Sequence, residues 1–390
     1  MKNNNKSVLM QYTGKLVRSQ LEGSETPLIP TEISFEELEK IAYSAHMEYM
    51  ILGALIKLPL SQEQIVRTRM SLKRSTFKTL LQIQNVKMLQ EKFEQNGIRN
   101  QVLKGAVMKY IYPRPELREM SDIDFMLYED DFSKAEKLIA ELGFHKLQAI
   151  KHHVIYEKKP LLILEMHWDL YEKTVDKGQY MYYKKQFRAV LKDGMKYTYE
   201  FTKENFYVYM ISHMAKHFYE NGCGIRNLVD IYVYNQKFQK EMDRSVVAQE
   251  LKNCGILDFE RHVTKLADIW LNDRESTVFY NNLFTYMVDC GIYGKCENGI
   301  WGQLCKQEDI NIGKSKGREL TYYFPPAGYM EEHYPWIKGK RWLLPAAWLY
   351  RGIHGLFNED SMNRAKILKN KEKYDVMMEI YHELNLNFVK

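Results

Sequence analysis

Two carboxylates, Asp122 and Asp124, stand two residues apart in the run Ser121-Asp122-Ile123-Asp124-Phe125. In a strand, residues at that spacing project to one face. Carboxylates that close oppose each other's ionisation unless a cation lies between them. Mg²⁺ is the expected cation, since it binds through one or two carboxylates and fills its other positions with water and phosphate oxygens. On spacing alone, a solvated pair at a strand start is the alternative. A third carboxylate, Glu165, comes late in the apolar run Leu161-Leu162-Ile163-Leu164-Glu165-Met166-His167-Trp168. An uncompensated charge is costly in such surroundings, so Glu165 needs a cation, either a metal ion or a lysine. His167 shares its face by the period of two.

Basic residues around the acidic pair are Lys104, Lys109, Arg114 and Arg118. Arg118 is the candidate for phosphate, because it lies four residues before Asp122 and a guanidinium binds phosphate through two parallel hydrogen bonds. Lys104 closes the preceding strand, within reach of the same place, whereas Lys109 and Arg114 read as solvated surface. His213 and His217 form an i,i+4 pair and share a helix face. Their string, His-Met-Ala-Lys-His, has Met214 where zinc proteases need Glu, which excludes that chemistry. Arg226 and Asp230 are likewise i,i+4, with a simple ion pair as the plain interpretation. These two helices either pack over the metal patch and line an acceptor pocket or belong to ordinary core. His152 and His153 precede a strand and are placed to line the cleft.

The elements that must hold these residues follow from periodicity. Residues 1–34 carry Gly, Ser, Pro and Thr punctuation and suggest an irregular lead-in. Ser34 and Glu37 form a capping-box pattern before a helix over 35–56, and a second helix runs from Ser61 to about Gln95, ended by Asn96-Gly97. Strands are expected at 98–104, 122–128, 144–148, 153–157 and 161–168, with short helices at 106–111 and 132–142. From 203 onwards the pattern is helical, at 203–219, 225–240, 243–253, 258–271 and 276–290, with loop from 290 to 316 and a last helix near 370–385. The organisation expected is therefore a lead-in (1–34), an N-terminal helical region (35–97), an α/β core (98–200) and a C-terminal helical region (201–390).

Composition narrows the field. The chain has 390 residues, 45% of them hydrophobic and 27% charged, and a net charge of +6. That is ordinary globular composition, and the mild basic excess without a basic run argues against long nucleic acids. Five cysteines without Cys-x-x-Cys spacing exclude a zinc-finger pattern and point to a reducing, cytoplasmic setting. The opening residues do not resemble a signal peptide. The apolar run 49–60 is interrupted by Lys57 and too short to span a bilayer. Gly313-Lys314-Ser315 echoes a phosphate-binding loop, but Glu308 stands where its first glycine belongs. The aromatic and basic stretch 338–357 is expected to pack as a helix, with a membrane surface as the alternative.

The order Leu103-Lys104-Gly105, then Asp122-Ile123-Asp124, then an apolar strand with Glu165, is similar to the DNA polymerase β-like nucleotidyltransferase superfamily. With Leu117-Arg118, Glu165-Met166-His167-Trp168 and His213 to Asp230, the chain more specifically resembles the bacterial "uncharacterised nucleotidyltransferase" family from about residue 35 onwards. The resemblance implies an α+β fold, a small mixed sheet flanked by helical regions. It implies that Asp122, Asp124 and Glu165 bind Mg²⁺ (or Mn²⁺), and that Gly105 lets backbone amides approach nucleotide phosphates, with Lys104, Arg118 and His167 beside them. Glu165 would orient or deprotonate an acceptor hydroxyl, and the acceptor pocket would draw on His213, His217, Arg226 and Asp230. The implied reaction moves a nucleoside monophosphate from an NTP to a hydroxyl-type acceptor, a small molecule or protein. Ala106 replaces the usual Gly or Ser, a long Pro-containing segment follows Gly105, and the third acid is Glu. These departures leave a catalytically weak or inactive nucleotide-binding or regulatory module as the alternative.

Overall fold

Alternation builds the sheet. In β2 (Ile123–Leu127) and β5 (Leu162–His167) every second residue is buried and those between are partly open. Ile123, Phe125 and Leu127, with Leu162, Leu164 and Met166, form one core face. That face is covered by α4 (Gln62–Gln95) and α6 (Phe132–Glu141), through Val86, Leu89 and Phe93 of the former and Ala135 and Ile139 of the latter. The rings of Phe93 and Phe125 meet edge-on at 5.3 Å. Asp124 and Met126, and Ile163, Glu165 and His167, lie on the opposite face.

The computed structural model describes residues 3–150, 152–171, 177–185, 188–302, 304, 323–356, 358, 361–362 and 371–386. Its sheet has seven strands in the order β3-β4-β5-β2-β1-β7-β6. The remaining strands are β1 (Asn100–Val102), β3 (His145–Ile150), β4 (His153–Lys158), β6 (Ala189–Leu191) and β7 (Thr198–Phe201). The short helices are α5 (Lys104–Lys109) and α7 (Lys177–Lys185), so Lys104 opens a helix instead of closing the expected 98–104 strand. The β2–β5 and β1–β7 pairs are parallel and the others antiparallel, so the sheet is mixed and the fold α+β, as expected. β6 and β7 lay unassigned in the sequence: three- and four-residue strands are too short for alternation to show.

The N-terminal region departs from expectation. Residues 3–22 are a helix, α1 (Asn3–Glu22), instead of an irregular lead-in. Leu9, Met10, Leu16 and Val17 on it are buried, and the Trp270 indole Nε1 donates to Thr13 Oγ1 at 3.2 Å. Ser34 and Glu37 do form a capping box. The helix they open stops at Ser44, however, and a second begins at Glu48, giving α2 (Phe35–Ser44) and α3 (Glu48–Leu55). The break falls at His46, which has a φ of 49°.

The second half follows the sequence closely. α8 (Lys203–Asn221), α9 (Arg226–Phe238), α10 (Arg244–Asn253), α11 (Leu257–Leu271) and α12 (Val278–Cys290) each end within two residues of the expected positions. With α1, α2 and α3 they share one large core, joined by the final helix Lys371–Leu384 through Met377, Ile380 and Tyr381. The helix Leu344–Leu356 sits in a small separate cluster with Met330 and Ile337, and leaves Leu349 and Ile353 exposed. Residues 305–316 of the expected loop, including Gly313-Lys314-Ser315, lie outside the described residues. Among the described residues, no helix is long and apolar enough to cross a membrane, and Cys223, Cys254 and Cys290 are buried free thiols.

Gly14 reports directly on how α1 is held. A Cβ there would run into the Trp270 backbone carbonyl, so Gly14→Ala is expected to cost about 1–3 kcal/mol, the usual penalty of overpacking. Urea unfolding measures this; an unchanged midpoint would show that α1 does not pack on α11.

Candidate functional site

Strand register assembles the acidic patch. Asp124 pairs with Glu165 across β2 and β5, and Met126 with His167. Across β5 and β4, His153 pairs with His167 and Ile155 with Glu165. Asp124, Glu165, His167 and His153 therefore meet on the sheet face turned away from the α4/α6 core, with Asp122 at the entrance to β2. His167 Nε2 lies 3.4 Å from Asp124 Oδ1 and 3.5 Å from Glu165 Oε2, and His153 Nε2 lies 3.5 Å from the same Glu165 oxygen.

The electrostatics follow from that crowding. Burial, then the charges of Asp124 and Glu165, push the Asp122 carboxyl up to about 7. Burial also disfavours the charged form of Glu165, but the hydrogen bond and charge of His167 outweigh it and leave the carboxyl below its ordinary value. Burial opposes a charge on His167 too; its hydrogen bonds to Asp124 and Glu165 prevail and hold it at about 9. Three acids with a raised Asp122 fit a divalent cation, whose charge would relieve the repulsion.

The basic residues are placed differently from expectation. Arg118 does not face a cleft: it is buried, and its Nε and Nη2 donate to the two Asp230 oxygens at 2.6 and 2.9 Å. Asp230 is fully buried and also accepts from the Tyr112 hydroxyl at 2.8 Å. It therefore pairs with Arg118, not with Arg226, and serves as an ionic hub and not as an open pocket wall. Lys104 is buried, donates to Asn227 Oδ1 at 2.7 Å and lies 3.6 Å from Asp230. Lys109, expected on the surface, is 1% exposed and donates to the Arg118 carbonyl and Thr79 Oγ1. Gly105 sits against Met120, 3.3 Å from where its Cβ would be, so close packing explains this glycine.

Arg226, by contrast, stays near the acids. Its Nη1 donates to the Glu119 carbonyl at 2.9 Å, its Nε has no hydrogen-bond partner, and its charge reaches Asp122. Lys78 on α4 is a residue the sequence did not single out. Burial depresses its amine, and the charges of Asp122, Glu48 and Glu119 pull in the opposite direction. One lysine among many on a long polar helix carries no local signal, so only the fold reveals it. His213 and His217 share a face as expected, with their Nε2 atoms 3.3 Å apart. Burial, and then the charges of His217 and Lys104 among others, drive His213 well below its ordinary value. His152 stacks edge-on with His153 at 4.7 Å. The patch thus couples an acidic half to a basic one, Lys104, Arg118 and Arg226 outnumbering Asp230.

Comparison with known proteins places the chain. A family model described as "uncharacterised nucleotidyltransferase" matches residues 31–272. A solved structure, an antigenic nucleotidyltransferase-like protein from Paracoccidioides brasiliensis, is similar at 15% identity and a TM-score of 0.29, over 52% of this chain and 94% of its own. That likeness is too loose to carry an argument. No curated protein matches.

The Arg118–Asp230 pair yields two expectations. Asp230→Asn leaves buried cations uncompensated and is expected to destabilise by about 3–5 kcal/mol. Burial alone would raise the Asp230 carboxyl, but Arg118 and Lys104 hold it down at about 2, against 3.8 ordinarily. Its contribution is complete above pH 4 and fades as pH falls from there towards 2. Urea midpoints of wild type and variant should therefore converge over that interval; a constant gap would contradict the pairing.

Proposed function

The chain belongs to the uncharacterised nucleotidyltransferase family, and from that premise we propose that it transfers a nucleoside monophosphate from an NTP to a hydroxyl-type acceptor. The observation that carries this is the alignment of Asp124 with Glu165 on neighbouring parallel strands, with Asp122 beside them. Three carboxylates on one sheet face agree with the metal-binding arrangement of the polymerase β-like superfamily.

Asp122 and Asp124 are the proposed holders of Mg²⁺ (or Mn²⁺), and Glu165 their third ligand. When bound, the cation neutralises the triphosphate and polarises the phosphorus that is attacked. The acceptor oxygen forms a bond to the α-phosphorus, the bond from that phosphorus to the bridging oxygen breaks, and pyrophosphate departs. Glu165, ionised and held by His167, orients the acceptor hydroxyl and takes its proton. Arg226, with an unpartnered Nε, and Lys78 supply the positive charge that Arg118 has committed to Asp230. Lys104 and the buried ion network beneath hold α9, and with it Arg226, against the start of β2. His213 and His217 on α8 flank the acceptor side. Tyr209 of the same helix lies close enough to Asp124 for the two to interact electrostatically.

One observation favours a second interpretation, a nucleotide-binding module without turnover: the guanidinium expected to meet phosphate is locked into Asp230. Turnover of α-³²P-labelled NTPs with Mg²⁺ or Mn²⁺, across small-molecule and protein acceptors, separates the two. Asp124→Asn should lower transfer by at least about 100-fold, the loss of one major charge-stabilising contact. Wild type that binds NTP yet labels nothing supports the module, and wild type that binds no NTP contradicts both.

A further inference from the structure

Histidines crowd the acidic patch in a way that oxygen-only Mg²⁺ coordination does not require. His153, His167, Glu165 and Asp124 come from three adjacent strands, β4, β5 and β2, and their side-chain donor atoms are spaced 3.4–3.5 Å along the contacts His153–Glu165, His167–Glu165 and His167–Asp124. A tetrahedral ion with bonds of about 2.0–2.1 Å holds its ligand atoms about 3.3–3.4 Å apart. The three contacts match that edge length, and Asp124, Glu165 and His167 bring one donor atom each to within 4.8 Å of one another. His152 adds a third imidazole, and His152, His153 and His167 bring one donor atom each to within 4.8 Å of one another. His153 is buried, and it is its Nε2 that faces the Glu165 carboxylate.

Two imidazoles and two carboxylates suit a borderline transition metal. Mg²⁺ takes hard oxygen ligands and keeps several waters, whereas imidazole favours ions such as Zn²⁺, Co²⁺ and Mn²⁺ with increasing nitrogen affinity along the first row. The family match says nothing of such a site. We infer that Asp124, Glu165, His153 and His167 form a mixed imidazole–carboxylate site for a divalent transition metal, with His152 as a supporting donor. The site shares Asp124 and Glu165 with the triphosphate site proposed above, and would leave Asp122 to a harder ion. It rests on the donor set and not on that proposal, so it stands whether or not transfer occurs.

The test uses the full chain, stripped with a chelator and dialysed, and reads metal binding instead of activity. Titration with Co²⁺, followed by visible absorption and calorimetry, should show one equivalent bound at least about 100-fold more tightly than Mg²⁺. Pulsed electron paramagnetic resonance of the Mn²⁺-loaded wild type should show imidazole ¹⁴N couplings. His153→Gln should weaken Co²⁺ at least tenfold, while Asp122→Asn should keep Co²⁺ binding and lose Mg²⁺-dependent nucleotide binding. A Co²⁺ spectrum identical to that of the aqueous ion, absence of ¹⁴N couplings, or Co²⁺ affinity unchanged in His153→Gln would overturn the assignment. The wild-type spectra decide the matter even if His153→Gln fails to fold. Failure of nucleotide binding alone would count against the triphosphate site and leave this one standing.

Discussion

The parallel pairing of β2 with β5 sets Asp124 beside Glu165, and the site depends on that register. A slip of one residue in either strand would send its carboxylate into the face packed by α4 and α6 and turn its own core residue, Phe125 or Met166, outward. The apolar residues prevent it: Ile123, Phe125, Leu127, Leu164 and Met166 are all at most 1% exposed. The core thus fixes the positions of charges it does not touch, and burial, with the nearness of Asp124 and Glu165, makes Asp122 resist ionisation. The crowding is sustained by packing, and its relief by a bound cation is what we propose for this face.

A second constraint joins the sheet to the helical half. Arg118, on the segment entering β2, and Asp230, on α9, form a two-point buried pair with Tyr112 and Lys104 around it. Such a pair is a poor source of net stability compared with apolar packing, but its loss on one side is costly. Its consequence here is positional. It seats α9 so that Arg226 borders Asp122, and it leaves more basic than acidic side chains on that side of the patch. Acids on one side and surplus cations on the other match a metal-bound triphosphate.

Much of this was legible in the chain. That Asp124, Glu165 and His167 share a sheet face, with Asp122 at the start of β2, was legible because strand alternation is a local signal and carboxylates late in apolar runs stand out. The helices from 203 to 290 were legible from their 3.6-residue period and the glycine or polar stops between them. The partners of charged residues were not legible. Arg118 meets Asp230 across 112 positions, and no local pattern tells a guanidinium destined for a buried carboxylate from one destined for phosphate. Lys109 was misplaced on the surface for the same reason. His46, a left-handed residue without the usual glycine, divides α2 from α3 at a point where the helical pattern runs on unbroken. Helix α1 was obscured by its polar character, its buried stripe being visible only against Trp270 and the helices around it.

The face carrying Asp122, Asp124 and Glu165 is proposed to hold a metal-bound nucleoside triphosphate. Crystals grown with Mn²⁺ and a non-hydrolysable ATP analogue test it most directly, since Mn²⁺ is located by its anomalous scattering. The expected result is an anomalous peak within bonding distance of Asp122 or Asp124 and a phosphate oxygen, with Arg226 turned towards the phosphates. A nucleotide bound elsewhere, such as the aromatic cavity lined by Tyr171, Tyr180 and Tyr183, with no metal at the carboxylates, would contradict it.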